Sequence, residues 1–165
     1  SRAIAEALKD SEGAKAYART QQKLLAKAVS ESRSASEEMT YVWHQVEVHA
    51  FLGEGEAILP WVESLETRLP KEYDPPYRKA WLLAKLERNT EAHAALQVAL
   101  PLVQGARRGR LLSLEADLYK AEKNAKKERE TREAIVAHYE SLPEGLRSQK
   151  KIDSAKKALS ELGKI

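Results

Sequence analysis

The sequence predicts an all-α protein, built as an array of helix hairpins and closed by a helix at its C-terminal end. Three observations carry this expectation. Ala, Leu, Glu, Lys and Arg dominate the 165 residues, and only seven Gly and six Pro interrupt them. Those are good helix formers with few breakers. Apolar residues recur at helical spacing nearly from end to end. Helix pairs then recur with a period of about 34 residues, the mark of a repeat architecture.

The elements run in order along the chain. Arg2 to Lys9 forms a short first segment, with a break at Asp10-Ser11-Glu12-Gly13. A helix runs from about 14 to 29, with Tyr17, Leu24, Leu25 and Ala28 along one side. The polar stretch 30–36 links it to the array. Ser34 and Glu37 have capping-box spacing and start the next helix, which carries Met39, Val42 and Val46 and ends at Gly53. Residues 55–69 come next with Ile58, Trp61, Val62 and Leu65, and Pro60 is placed in the first turns. Asp74-Pro75-Pro76 punctuates, and Tyr77 to Leu86 is helical. Asn89-Thr90 breaks the chain, with Thr90 as the next cap. Ala92, Ala95, Leu96 and Ala99 mark a helix that Pro101 kinks or ends. Leu111, Leu112, Leu114, Leu118 and Tyr119 make a helix apolar on more than one side, as a helix between two neighbours is. A break near Lys123-Asn124 precedes a helix with Ile135, Val136 and Tyr139. After the turn 142–145, Ser148 leads into a last helix whose single apolar stripe, Ile152, Ala155, Leu159 and Leu162, reads as a cap. Three units result: residues 1–35 lead in, 36–146 hold three helix pairs, and 147–165 close the array.

The pairs span about 36–69, 76–104 and 108–141. Val46, Ala80 and Ala116 keep the period, as do His49, Leu83 and Tyr119, and Ala57 stands 35 residues before Ala92. Here the chain resembles the tetratricopeptide family of helix–turn–helix repeats. Ala116 and Tyr119 match its small-then-aromatic step, Gly53 its turn, Ala57 and Ala92 its second-helix alanine, and Pro70 its close. Val46 and His49, and Glu87 and Lys123, depart from the pattern. The resemblance implies a right-handed α-solenoid of such hairpins. A second resemblance lies in Tyr73-Asp74-Pro75-Pro76-Tyr77-Arg78 and Arg107-Arg108-Gly109-Arg110-Leu111-Leu112. These runs look like the helical region that follows a thioredoxin-like domain in some bacterial proteins. It implies that Arg2–Lys9 is the tail of that domain, with the active cysteines outside this chain. The start at Ser1 reads as a fragment or a processed form.

Composition narrows the chemistry. There is no cysteine, which removes disulfides, thiol catalysis and cysteine-ligated zinc and leaves cytoplasm and periplasm equally open. No apolar run is long enough to span a membrane. His44, His49, His93 and His138 lack the spacing of a zinc motif. The carboxylate pairs Glu37-Glu38 and Glu128/Glu130 lie in charge-rich surface, where nothing desolvates an acid for catalysis. No phosphate loop occurs, and Gly53-Glu54-Gly55 reads as a turn. No enzyme, metal or cofactor is expected.

Charge and aromatic residues are unevenly spread. Residues 1–104 carry 13 basic and 15 acidic side chains, against 15 and 10 in residues 105–165. Seven of the ten aromatics lie between Tyr41 and Trp81, away from the basic half, so nucleic-acid binding is not expected. Arg107, Arg108 and Arg110 either cap the preceding helix or grip an anion. Such arrays bind along a concave groove formed by the first helix of each pair. The tetratricopeptide pattern places Trp43, Glu47, Tyr77, Trp81 and Lys85 there, with Arg110, Ser113 and Asp117 from the third pair. Trp and Tyr beside charged groups are the residues that anchor peptides, although Trp43 and Trp81 also sit where they could fill core. The expected function is non-catalytic binding of a protein or peptide. The alternative is an accessory or dimerisation domain of a larger thiol–disulfide protein, whose partner is a second copy or an upstream domain of the same parent chain.

Overall fold

The computed structural model describes residues 11–162 and is all-α, with no strand among them. Nine α-helices make up the described chain: α1 (Ser11–Ser30), α2 (Ala35–Met39), α3 (Val42–Phe51), α4 (Gly55–Arg68), α5 (Asp74–Lys85), α6 (Asn89–Ala99), α7 (Arg108–Ala121), α8 (Ala125–Ser141) and α9 (Gln149–Glu161). The expected helix at Arg2–Lys9 lies outside the described residues.

Three turns have the same backbone design. In the first, the N–H of Gly53 donates to Ala50 at 3.1 Å and that of Glu54 to His49 at 2.8 Å. In the second, Glu87 donates to Ala84 at 3.2 Å and Arg88 to Leu83 at 2.9 Å. In the third, Lys123 donates to Lys120 at 3.0 Å and Asn124 to Tyr119 at 2.9 Å. Each is the paired 6→1 and 5→2 bonding that satisfies the last carbonyls of a helix. Each needs a left-handed residue, and Gly53, Glu87 and Lys123 have φ of 73°, 59° and 58°. The break expected near Lys123 is therefore real. Asn124 completes it, its side chain accepting from the N–H of Lys127 at 3.2 Å.

The turns also fix the register of the helices that they introduce. Counting from Gly53, Glu87 and Lys123, the second-helix partner of Ala92 is Ile58, not Ala57. Ile58 and Ala92 are buried, as is Glu128 at the same place in α8, whereas Ala57 is exposed. In the first helices Val46, Ala80 and Ala116 are all fully buried.

Consecutive helices pack on one another from α3 to α9, and α3 with α5 and α5 with α7 add contacts between first helices. The main core runs through α3 to α7, from Val42 and Val46 through Leu65, Leu82 and Leu96 to Leu111 and Leu118. A second cluster joins Ala116, Ile135, Tyr139, Leu142 and Ile152. Because α7 supplies both, it lies between two neighbours, as its all-round apolar pattern requires. In α9, Ile152 is buried and Ala155, Leu159 and Leu162 are half-buried, so the helix covers the end of α8.

Several local expectations change. Of the break expected at residues 10–13, the described part, Ser11 to Gly13, is helical. In α1 the buried residues are Ala14 and Ala18, while Tyr17 and Leu24 face solvent. The helix from Ser34 stops after Met39, because Thr40 and Tyr41 tighten to i→i−3 bonds and the Thr40 hydroxyl donates to the Glu37 carbonyl at 2.7 Å. That hydroxyl competes with the helical ladder. Ser34 caps as expected, but Glu37 reaches back to the N–H of Arg33. Pro60 falls in the second turn of α4, on an exposed face, where it removes the helical bond to the Glu56 carbonyl. Asp74-Pro75-Pro76 opens α5 instead of preceding it, a position that tolerates the missing N–H groups. Asn89 and Thr90 likewise open α6, and Thr90 caps nothing. That helix ends at Ala99 ahead of Pro101.

Short α2 is tied to α4 by side chains. Glu38 accepts two hydrogen bonds from Arg68, at 2.6 and 2.7 Å, and one from the Trp61 indole at 3.1 Å. The Arg68 guanidinium holds the Glu38 carboxyl below its ordinary value of 4.5.

Both the turns and the Glu38 contact have measurable consequences. Glu87→Gly and Lys123→Gly relieve a left-handed conformation that side chains resist, so each should raise stability by about 0.5–1 kcal/mol in thermal or urea unfolding. Glu38 has a lowered folded pKa, so its contribution is present above 4.5 and is lost as pH falls through the folded value. Urea midpoints measured from pH 6 down to 3 should fall less steeply for Glu38→Gln than for the parent.

Candidate functional site

The first helices α3, α5 and α7 present matched positions to one face. Counted from the turns, Trp43, Tyr77 and Ser113 are equivalent, and so are Glu47, Trp81 and Asp117. The structure brings these residues together. Tyr77, Trp81, Lys85, Arg110, Ser113 and Asp117 line one cavity of about 480 Å³ between α5 and α7, floored by Ala84, Leu114 and Leu118. Glu47 lines an adjoining recess with Trp81 and Lys85. Trp43 lies on the far side of Trp81, the two rings meeting edge to face with centroids 4.9 Å apart. Arg110 reaches a third recess beside Trp43. All seven residues chosen from the sequence pattern, and Ser113, thus share a connected surface.

Trp43 and Trp81 are both half-buried, each packing on the core with one side and facing a recess with the other. Burial raises the Tyr77 hydroxyl above its ordinary value of 10.0, and neighbouring Arg78 and Arg110 oppose this. The Lys85 ammonium stands 5.4 Å from the centre of the Trp81 ring.

Sequence reasoning missed Arg78. Its guanidinium lies 4.5 Å from the Trp43 ring and 4.8 Å from the Tyr77 ring, and is held by Asp74 at 3.2 Å. The signal was available, since position 78 lies one helical turn beyond Asp74. The surface also continues past Asp117. A second cavity of about 470 Å³ shares Ser113 with the first and is lined by Arg132, Tyr139, Lys150 and Lys151. The spacing of α7, α8 and α9 residues in sequence gave no sign of this, because three separate helices build it.

The arginine cluster divides its work. Arg108 donates to the Leu100 carbonyl at 2.7 Å and caps the end of α6, the structural role. Arg107 and Arg110 instead line the recess beside Trp43. The histidines do not converge. His44 is exposed, His49 lies 2.8 Å from the Gln45 carbonyl, His138 lies 3.1 Å from the Gly105 carbonyl, and His93 lies 3.3 Å from Glu122. No group of three metal-ligating side chains occurs among the described residues, and none of their helices is long and apolar enough to cross a membrane.

One glycine shapes the second cavity. The Tyr139 ring lies directly over Gly109 in α7, where a β-carbon would clash with the ring carbon and the hydroxyl. The ring is rigid and buried among Ile135, Leu142 and Ile152, so it cannot yield cheaply. Gly109→Ala should lower stability by about 1–3 kcal/mol by overpacking, read as a shift in the urea midpoint, and Tyr139→Leu should restore part of it.

Comparison of the chain with protein-family models, with curated proteins and with solved structures finds no match.

Proposed function

We propose that this chain is a non-catalytic peptide-binding scaffold, a right-handed α-solenoid of tetratricopeptide-like hairpins whose groove runs along α3, α5 and α7. The solenoid reading is supported by the three identical left-handed turns at 53, 87 and 123 and by contacts between successive first helices. The groove reading rests on one observation above all: Trp81, Tyr77, Lys85, Arg110 and Asp117, chosen from the repeat pattern, line a single cavity of about 480 Å³. That cavity offers an aromatic wall, an aliphatic floor and charged rims, the mixture that anchors an extended peptide.

Selection from a random peptide-display library provides the test. Peptides recovered with the parent chain should lose at least about tenfold in affinity, roughly 1.4 kcal/mol, against Lys85→Ala/Asp117→Ala, whose exposed side chains the fold does not need. Trp81→Ala should lose as much binding and about 1.5–3 kcal/mol of stability, below the range for a fully buried ring because part of it is already solvated. Recovered peptides that bind these variants as tightly as the parent would place recognition elsewhere.

A second reading, an accessory or dimerisation domain of a larger thiol–disulfide protein, is favoured by one observation. The runs 73–78 and 107–112 meet at one recess, where Tyr73, Asp74, Arg78, Arg107 and Arg110 surround Trp43. Sedimentation over a range of concentrations separates the readings: dimers weakened by Arg107→Ala support the second, and a monomer throughout supports the scaffold.

A further inference from the structure

The two cavities along α7 are unbalanced in charge. Their ionisable lining consists of Lys85, Arg110, Asp117, Arg132, Lys150 and Lys151, besides tyrosines. Asp117 is the one carboxylate of these two cavities, with Glu47 in the recess that adjoins Lys85, and Arg132 already pairs with Asp117 at 3.3 Å while also holding buried Glu128 at 2.8 Å. Lys85, Arg110 and Lys150 have no carboxylate partner among the described residues, and Lys151 faces only the Tyr139 ring, at 5.6 Å. The recess on the other side, between α4, α5 and α6, is the reverse. Glu63, Glu66 and Glu91 line it, with Lys79 bound to Glu66 at 2.6 Å. The excess positive charge is therefore a property of one face and not of the whole surface.

The fold does not require those cations where they stand. A helix N-terminus favours carboxylates and disfavours cations. Helices α1, α2, α4, α5, α6 and α8 follow this rule with Glu12, Glu37, Glu56, Asp74, Glu91 and Glu128. Helix α3 has no acid in its first turn, and helices α7 and α9 go further. Neither has an acid in its first turn, and they carry Arg110 and the Lys150-Lys151 pair there instead. Both ends open onto the same groove. Unpaired cations at the positive ends of two helices oppose stability and leave a site prepared for negative charge.

We propose that the groove along α5, α7 and α9 takes an acidic peptide segment. This rests on the peptide-groove reading and adds the partner's chemistry. Carboxylate side chains pair with Lys85, Arg110 and Lys150-Lys151, and an aliphatic side chain between them rests on Trp81, Leu114 and Leu118. The distribution favours a peptide over a nucleic acid. The cations are spread over three helices and separated by apolar surface, so they do not form a continuous phosphate track. The aromatic rings offer no row of free faces for bases, since Trp81 is engaged by Trp43 and Lys85, and Tyr139 is buried beneath Lys151.

Fluorescence anisotropy with labelled probes tests this. Three short peptides share a leucine and alanine pattern and carry glutamate, glutamine or lysine at the remaining positions; the fourth probe is a single-stranded oligodeoxynucleotide. The glutamate peptide should bind at least about tenfold more tightly than the glutamine peptide, and added salt should erode that advantage. Arg110→Gln and Lys150→Gln/Lys151→Gln should each lose most of the advantage while the Tm stays unchanged or rises. A purely structural role for these cations would instead lower the Tm. Tighter binding of the glutamine or lysine peptide, lost with Trp81→Ala, would overturn the acidic-partner inference and leave the groove reading standing. No binding by any peptide would overturn both. Tighter binding of the oligonucleotide would overturn the choice of a peptide.

Discussion

The left-handed turn that closes each hairpin is the constraint on which the rest of the architecture depends. A helix must satisfy its last carbonyls, and these three helices do so with two backbone bonds that require one residue at positive φ. The geometry ends the first helix at a set residue and starts the second four residues later. Side-chain register is then set without further choice, which is why Val46, Ala80 and Ala116 all reach the core. It is also why Trp43, Tyr77 and Ser113 share a face with Glu47, Trp81 and Asp117. That only one of the three turns uses glycine means the backbone design is kept at the expense of strain at Glu87 and Lys123.

The core is continuous through α7 but changes character there. Leu111 and Leu118 face the larger cluster, and Ala116 faces the smaller one built with α8 and α9. The small side chains of α7 matter as much as the large ones. Gly109 lets the Tyr139 ring lie against the helix, and the ring in turn forms one wall of the second cavity. Packing and surface shape are therefore set by the same contact where α7 and α8 meet.

Charge obeys a different logic from packing. Where ion pairs serve the fold they are closed: Glu38 with Arg68, Glu128 with Arg132, Glu66 with Lys79. Lys85, Arg110 and Lys150 are left without a carboxylate partner among the described residues, and two helix N-termini carry the sign of charge they tolerate least. An arrangement that costs stability, with no repaying contact among the described residues, is expected of a surface that meets a partner.

The all-α class and the order of the helices were legible in the sequence, as was the spacing that puts Trp43, Glu47, Tyr77, Trp81, Lys85, Arg110 and Asp117 at recurring positions along the first helices. These depend on periodicity and local breaks, which are short-range and therefore written in consecutive residues. It misjudged the choice between Ala57 and Ile58, because that choice depends on where the turn ends, and a single residue of slip rotates a helix by a large angle. It also assigned Tyr17 and Leu24 to a packed stripe, whereas Ala14 and Ala18 are the buried residues of a helix that packs on α3. Tertiary packing alone brings Arg78 against Trp43 and Tyr77, gives each indole a core side and a recess side, and sets Lys150 and Lys151 of α9 in a cavity that shares Ser113 with the first. Each of those depends on residues distant in the chain becoming neighbours, which helix packing decides and local pattern does not record.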